Sequence, residues 1–425
     1  MQTQPKWNRR DFLRLSGGAA GVALLAACQP ITRPVETTGG ESTPTPAAEE
    51  EAGAPTGGAR FAYVGSYTTG APGGWSEAAE ANHPEGFSVF AVDADGNFTH
   101  IQTVPSANPS FLAIHPSQQF LYVINEIADY EGAEAGSVEA YFIDDDTGEV
   151  TLLNRQATGS IPAHLAVDPT GQYLVIGNYV GGTFQVFPIN EDGSLEPASG
   201  EVQQSGSGPN AERQEAPHPH AVVFDPAGNF IATADLGTDQ VQTWRLEDGG
   251  LTPVSEALIT PGSGPRHLSF HPSGQYLYVI NELTATITAL AYDAATGELG
   301  EEIQTIGTVP DDFPEDKSTA EIMVHPSGKF VYGSNRKFED HPLADAIVAF
   351  SIDEATGELT LIGHTTENIQ FPRGFNFDPT GTWLYALNQK GDSIVQLEIN
   401  QETGELTPTG VIIDAPVPVS LVFKS

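Results

Sequence analysis

One group of side chains in this sequence could carry out hydrolysis. Arg266, Arg336 and Arg373 are three of only 17 Lys and Arg in a chain with 56 Asp and Glu. A guanidinium offers paired N–H donors to a carboxylate or phosphate and stabilises an oxyanion as it forms. An imidazole takes a proton from water near neutral pH, which suits His220 or its neighbour His218, while His164, His218, His267, Arg373 and Glu126 are candidates for binding substrate, His164 and His267 having blade packing as the alternative. Glu282 can orient a partner or exchange a proton, and Glu126 occupies the same kind of position in another part of the chain. Such a set suits attack of water on a small anionic ester or lactone. These residues are scattered from Glu126 to Arg373, so only a fold that gathers distant segments can assemble them.

Internal repetition supplies that fold. A twelve-residue phrase recurs as HPSQQFLYVINE from His115, DPTGQYLVIGNY from Asp168, DPAGNFIATADL from Asp225, HPSGQYLYVINE from His271, HPSGKFVYGSNR from His325 and DPTGTWLYALNQ from Asp378. The starts lie 53, 57, 46, 54 and 53 residues apart, and a truncated seventh copy is FAYVGSYT from Phe61. An acidic turn recurs seven times, at Gly96, Gly148, Gly193, Gly249, Gly297, Gly357 and Gly404. Each unit reads as an apolar strand, a turn, a Tyr/Val-rich strand, a loop, an alternating strand, a Gly turn and a last strand. Four strands at a period near fifty describe a propeller blade. The expected fold is therefore all-β, a seven-bladed propeller over residues 59–425. Pro418–Phe423 resembles a first strand and Phe61–Thr68 a second strand without its first, so the two termini should pair and close the ring.

In such a ring the start of each inner strand and the end of the next strand face one mouth. Counting from the first residue of each phrase, position −5 holds Ser110, Ala163, His220, Arg266, Ala320 and Arg373. Position +11 holds Glu126, Tyr179, Leu236, Glu282, Arg336 and Gln389, and position −4 adds His164, His267 and Glu321. The candidate set is thus drawn to one mouth. His115, His271 and His325 stand where other copies have Asp and read as turn-closing residues, and the Asn column at +10 reads as strand-end fasteners.

The first residues read as an address. Arg9 and Arg10 are followed by Phe12 and Leu13, and Gly17–Ala27 is a short apolar run ending at Leu25-Ala26-Ala27-Cys28. That run is too short to span a bilayer, so residues 1–27 are expected to be a twin-arginine-type lipoprotein signal peptide cleaved before Cys28, which would carry lipid. Residues 28–58, rich in Pro, Thr and Glu, are expected to be a disordered tether. The protein would then be exported and lipid-anchored at the outer side of the bacterial cytoplasmic membrane or in the cell envelope, touching the membrane only through that anchor, and monomeric.

The net charge of −39 excludes a nucleic-acid binder, and one cysteine excludes a disulfide framework. No G-x-S-x-G, H-E-x-x-H, P-loop or Rossmann pattern occurs, and no spacing points to a metal or a cofactor.

The segments PAHLAVDPTGQYLVIGNY, PHPHAVVFDPAGNF, GSGPRHLSFHPSGQYLYVINEL, SNR and FPRGFNFDPTG resemble those of the seven-bladed propeller lactonases. This is the bacterial 6-phosphogluconolactonase family, which also includes fungal carboxymuconate lactonizing enzymes. The resemblance implies a metal-independent site at the mouth formed by His220 (with His218 adjacent), Arg266, Glu282 and Arg336, with Arg373 and His164 also matching. It leaves a non-catalytic YVTN-type binding propeller and a lactonizing cycloisomerase as alternatives to a lactone hydrolase. The family's best-known substrate, a phosphorylated sugar lactone, belongs in the cytoplasm, whereas the address of this chain points outside.

Overall fold

The computed structural model describes residues 58–69, 85–310, 313, 317–337 and 345–425. The expected signal peptide, Cys28 and nearly all of the tether lie outside the described residues. Among the described residues are 28 strands in seven four-stranded antiparallel sheets. We number the blades by the chain order of their inner strands: Pro109–Ile114, Pro162–Val167, Pro219–Phe224, Pro265–Phe270, Lys317–Val324, Pro372–Phe377 and Pro418–Lys424. Consecutive inner strands touch, and the seventh touches the first, so the ring is closed. In blade 7 the inner strand Pro418–Lys424 pairs antiparallel with Phe61–Ser66, in register Phe61↔Lys424 through Ser66↔Pro418. The termini thus complete one sheet, as the two half-units in the sequence require.

The recurring phrase follows from where its strand sits. In the second strand of blade 4, Tyr276–Asn281, every residue is buried, yet its side chains alternate between two neighbours. Tyr276, Tyr278 and Ile280 pack with Ile322, Val331 and Phe350 of blade 5, whereas Leu277 and Val279 pack with Ala221, Ala232 and Val241 of blade 3. Both faces being buried, the strand reads as a continuous apolar run instead of an alternating one. Fourth strands are largely exposed, as in Glu298–Gly307.

The turn glycines tie blades together. Tyr278 Oη donates to the Gly357 carbonyl at 3.0 Å, and Tyr63, Tyr122, Tyr332 and Tyr385 do the same to Gly148, Gly193, Gly404 and Gly96. Gly357 adopts φ +77°, and a Cβ there would lie 2.5 Å from the Tyr276 ring, so the left-handed turn and the aromatic contact both require glycine. His115, His271 and His325 reach the carbonyls of Gly171, Gly328 and Gly381 through Nε2. They are interblade ties as well as turn-closing residues.

Candidate active site

Every inner strand carries a β-bulge at the same place. The residue without a partner is Ser110, Ala163, His220, Arg266, Arg373 or Val419 in blades 1, 2, 3, 4, 6 and 7, and blade 5 shifts register across Ala320 and Glu321. These residues are the −5 column. A bulge re-aims a side chain that regular pleating would place on one face of the sheet, and here it separates position −5, at the mouth, from position −4, which lines the central channel. Two residues ahead of the bulge the backbone is left-handed in five blades, at Asn108, Ile161, Gly264, Phe371 and Val417. Such a conformation is costly for β-branched Ile161 and Val417; it is tolerated where it sets the mouth.

At the mouth one carboxylate organises three guanidiniums. Glu282 Oε1 accepts from Arg213 Nη2 at 2.7 Å, while Oε2 lies 3.0 Å from Arg266 Nε and 3.2 Å from Arg336 Nη2. Arg266 Nη1 also donates to the Ala320 carbonyl at 2.7 Å, and Arg336 Nη2 to the Thr319 carbonyl at 2.8 Å. The Arg336 guanidinium lies 5.6 Å from the Phe371 ring centre, and Lys390 Nζ lies 4.1 Å from it. Burial alone would raise the Glu282 pKa, but Arg213, Arg336 and Arg266 outweigh it and hold the group far below the usual carboxylate range. The three guanidiniums thus favour the Glu282 anion, in keeping with the orienting role of the two that the sequence left open. Burial and the Arg373 charge bring Arg266 down to about 10. Burial, partly offset by Glu282, brings Arg336 down to about 9. Both stay charged at neutral pH in a setting that favours a further anion.

Beside this cluster stands a second group. Arg373 Nη2 lies 3.5 Å from Glu126 Oε2, its guanidinium sits over the Tyr67 ring at 5.0 Å, and the Tyr67 hydroxyl donates to Glu126 Oε2 at 2.8 Å. Tyr67 is the +11 residue of the truncated seventh copy; completing that column would have found it. Arg213 had no such signal. It comes from the long segment between Gln203 and Pro219, outside the repeat, where buried Gln214 donates to the Leu236 carbonyl and to Asp239 Oδ1 and so fixes the turn.

The histidines divide among three positions. His220 lies at the mouth, and its Nδ1 is buried without a hydrogen-bond partner among the described residues. Burial, then the charge of Arg266, pushes its pKa well below the ordinary 6.5, so it is a neutral imidazole able to accept a proton. His218 is set back: its ring stacks on Tyr179 at 4.3 Å, Nδ1 lies 3.0 Å from the Tyr179 carbonyl and Nε2 lies 3.2 Å from Glu215. His164 and His267 are not at the mouth but one residue deeper. Phe111 packs against His164 with the rings tilted and their centres 4.0 Å apart, His164 meets His267 at 5.1 Å, and His267 Nδ1 lies 2.7 Å from Glu321 Oε1. These four form a plug over a cavity of about 250 Å³ that His164, Ser269, Glu321, Asn376 and Ser420 line together with aliphatic residues. Among the described residues no group of His, Cys, Asp and Glu is arranged to hold a metal ion.

Residues 61–423 match the family model described as Lactonase, 7-bladed beta-propeller. The chain belongs to the seven-bladed propeller lactonase family. Within it, the chain is 36% identical over 364 residues to a 6-phosphogluconolactonase of Bacillus subtilis, covering 85% of this chain and 97% of the relative. A 6-phosphogluconolactonase of Formosa agariphila is 30% identical over 350 residues, covering 81% and 94%. Among solved structures, a candidate 6-phosphogluconolactonase from Bacteroides fragilis superposes with a TM-score of 0.76 at 32% identity, covering 88% of this chain and all of the other. The Pseudomonas aeruginosa periplasmic gluconolactonase superposes at 0.73 with 25% identity, covering 86% and 99%.

Proposed function

We propose that this protein hydrolyses the ring ester of a small anionic sugar lactone at the mouth of the propeller. The observation that carries the reading is the buried His220 in one mouth with guanidiniums fixed on a single carboxylate. Arg266 and Arg336 hold the substrate's carboxylate or phosphate and the oxyanion that develops on the lactone carbonyl. Water attacks that carbonyl carbon while His220 takes its proton; the bond from carbonyl carbon to ring oxygen then breaks, and the proton returns to the leaving alkoxide. The product is a hydroxy acid, which ionises. Glu282 carries no proton in this scheme and keeps the three arginines apart and in place. Of the two candidate bases, His218 has both nitrogens engaged, so His220 has the role.

Relatives named for hydrolysis of gluconate lactones support a hydrolase over a cycloisomerase or a binding propeller. Among them the Pseudomonas protein is named as periplasmic, in keeping with an exported enzyme acting on a lactone outside the cytoplasmic membrane. We further propose cleavage before Cys28, lipid attachment there, and a monomeric propeller on a tether. Mass spectrometry of the membrane fraction should find a lipid-modified Cys28 at the new N-terminus. Turnover should be tested on gluconate lactones with and without a 6-phosphate, in the presence and absence of chelator. Hydrolysis that chelator leaves intact supports the scheme; no turnover of either lactone sinks it.

A further inference from the structure

The acid–base histidine does not stand alone, and what lies behind it is not part of the scheme above. His267 presents Nδ1 to Glu321 Oε1 at 2.7 Å, so between a carboxylate and an imidazole the proton sits on Nδ1 and leaves Nε2 with a lone pair. That Nε2 is buried and has no hydrogen-bond partner among the described residues. The His220 ring is 5.1 Å away, centre to centre, and its Nδ1 is also buried without a partner. Two buried nitrogens on neighbouring rings, one an acceptor and the other able to donate, are complementary, and the relay requires them to come within hydrogen-bond reach in the substrate complex, where loose apo contacts tighten. At the far end Glu321 keeps 13% of its side chain exposed and lines the channel.

We infer that Glu321, His267 and His220 form a proton relay from the mouth to the central channel, in which Glu321 and His267 are positioning residues that act through His220. The inference rests on the hydrolase reading for its kinetic consequences, though not for its geometry. In the resting state Glu321 is ionised, His267 carries its proton on Nδ1, and His220 carries its proton on Nδ1, leaving Nε2 as the base. When His220 Nε2 takes a proton from attacking water, the Nδ1 proton moves to His267 Nε2 and the His267 Nδ1 proton moves to Glu321. No net charge is left on either buried ring. That matters because desolvation opposes a charge on both. Returning the chain supplies the leaving alkoxide, and the proton finally released as the product acid ionises can leave through Glu321 into the channel.

Charged and titratable groups face this chain from every side. Arg266 adjoins His267 on the same strand, Arg373 acts from blade 6, His164 from blade 2, and Arg336 and Glu282 from the mouth. Burial, opposed first by Arg266, pushes Glu321 up to about 7. The relay accepts a proton only when the Glu321–His267 pair is ionised, so kcat should rise with pH through a limb near 7 that belongs to the pair as a unit.

The test uses the full chain with ring-nitrogen-labelled histidine, and turnover of gluconate lactone. In the wild type, His267 should show the Nδ1–H tautomer, His220 an unprotonated Nε2, and both should shift together near pH 7. Glu321→Gln, which still accepts from Nδ1 but cannot take its proton, should lower kcat by about 10²-fold, leave KM unchanged, and abolish both the limb and the shared shift. A His220 found as the Nε2–H tautomer, or titrating independently of His267, overturns the relay in the wild type alone, whatever the variant does. An E321Q enzyme with the wild-type kcat and pH profile also overturns it. If no lactone is turned over by the wild type, the hydrolase reading fails, while the nitrogen shifts still decide the relay.

Discussion

Replacing Glu282 by Gln removes the one negative charge shared by the half-buried Arg213 and the buried Arg266 and Arg336, at 2.7, 3.0 and 3.2 Å. Taking one partner from a buried ion pair costs about 3–5 kcal/mol, because the other is left uncompensated. Here the remaining cations also repel one another, at about 4 kcal/mol per pair for charges 4 Å apart at an effective dielectric of 20, so the upper end of that range is expected. Against a total stability of about 5–15 kcal/mol this is a large fraction. Urea unfolding should show a lower midpoint at unchanged slope. Because Glu282 is held far below its ordinary value of 4.5, its contribution is complete above that pH and is lost as pH falls below it, so the difference between wild type and variant should shrink in acid. Sulfate or phosphate should restore part of the loss by occupying the cation cluster, about 2.7 kcal/mol at a hundredfold excess over Kd. A loss under about 1 kcal/mol, the value of an exposed pair, would refute the claim that Glu282 organises the site.

Gly357→Ala, with φ +77° and a Cβ 2.5 Å from the Tyr276 ring, should cost about 1–3 kcal/mol, whereas Gly363→Ala, whose Cβ meets nothing within 4 Å, should cost little; equal midpoints in denaturant would discount the turn. Lowering pH from 6.5 should destabilise the domain, because His164, His220 and His267 are all held unprotonated and each contributes up to about 1.4 kcal/mol per pH unit. Glu321, raised by burial to about 7, binds a proton that the unfolded chain lacks over the same range and offsets one of the three, so the net slope should approach about 3 kcal/mol per pH unit near pH 5.5; a flat profile there would mean that the histidines are protonated in the fold. With Arg213, Arg266, Arg336, Arg373 and Lys390 around one mouth of a chain carrying a net charge of −39, kcat/KM for an anionic lactone should fall as ionic strength rises, and a salt-independent value would argue for a neutral substrate.

What was legible in the sequence was whatever repeats. Blade number, strand order and ring closure follow from a phrase whose Tyr, Gly and His positions each make the same interblade bond in several blades. The mouth residues were legible as departures from that phrase, since a bulge at position −5 presents whatever residue stands there: alanine in blade 2, His220 in blade 3, Arg266 in blade 4. Depth was not legible. Positions −5 and −4 are adjacent in sequence, yet the bulge sends one to the mouth and the other into the channel, which is why His164 and His267 lie behind the site. Nor could the state of Glu282 be read, because it depends on Arg213, delivered by the long segment between Gln203 and Pro219, outside the repeat. His218 and His220 look equivalent in sequence; stacking on Tyr179 separates them.

That distinction offers the most direct test of how the mouth works. Lactone hydrolysis should be compared in wild type, His220→Ala and His218→Ala, each checked for an unchanged unfolding midpoint. Turnover number kcat should fall by about 10²- to 10⁴-fold in the His220 variant and stay within about tenfold in the His218 variant, which loses the Tyr179 stack, the contact with the Tyr179 carbonyl and the Glu215 contact. A folded His220→Ala enzyme that turns over lactone at the wild-type rate would contradict it.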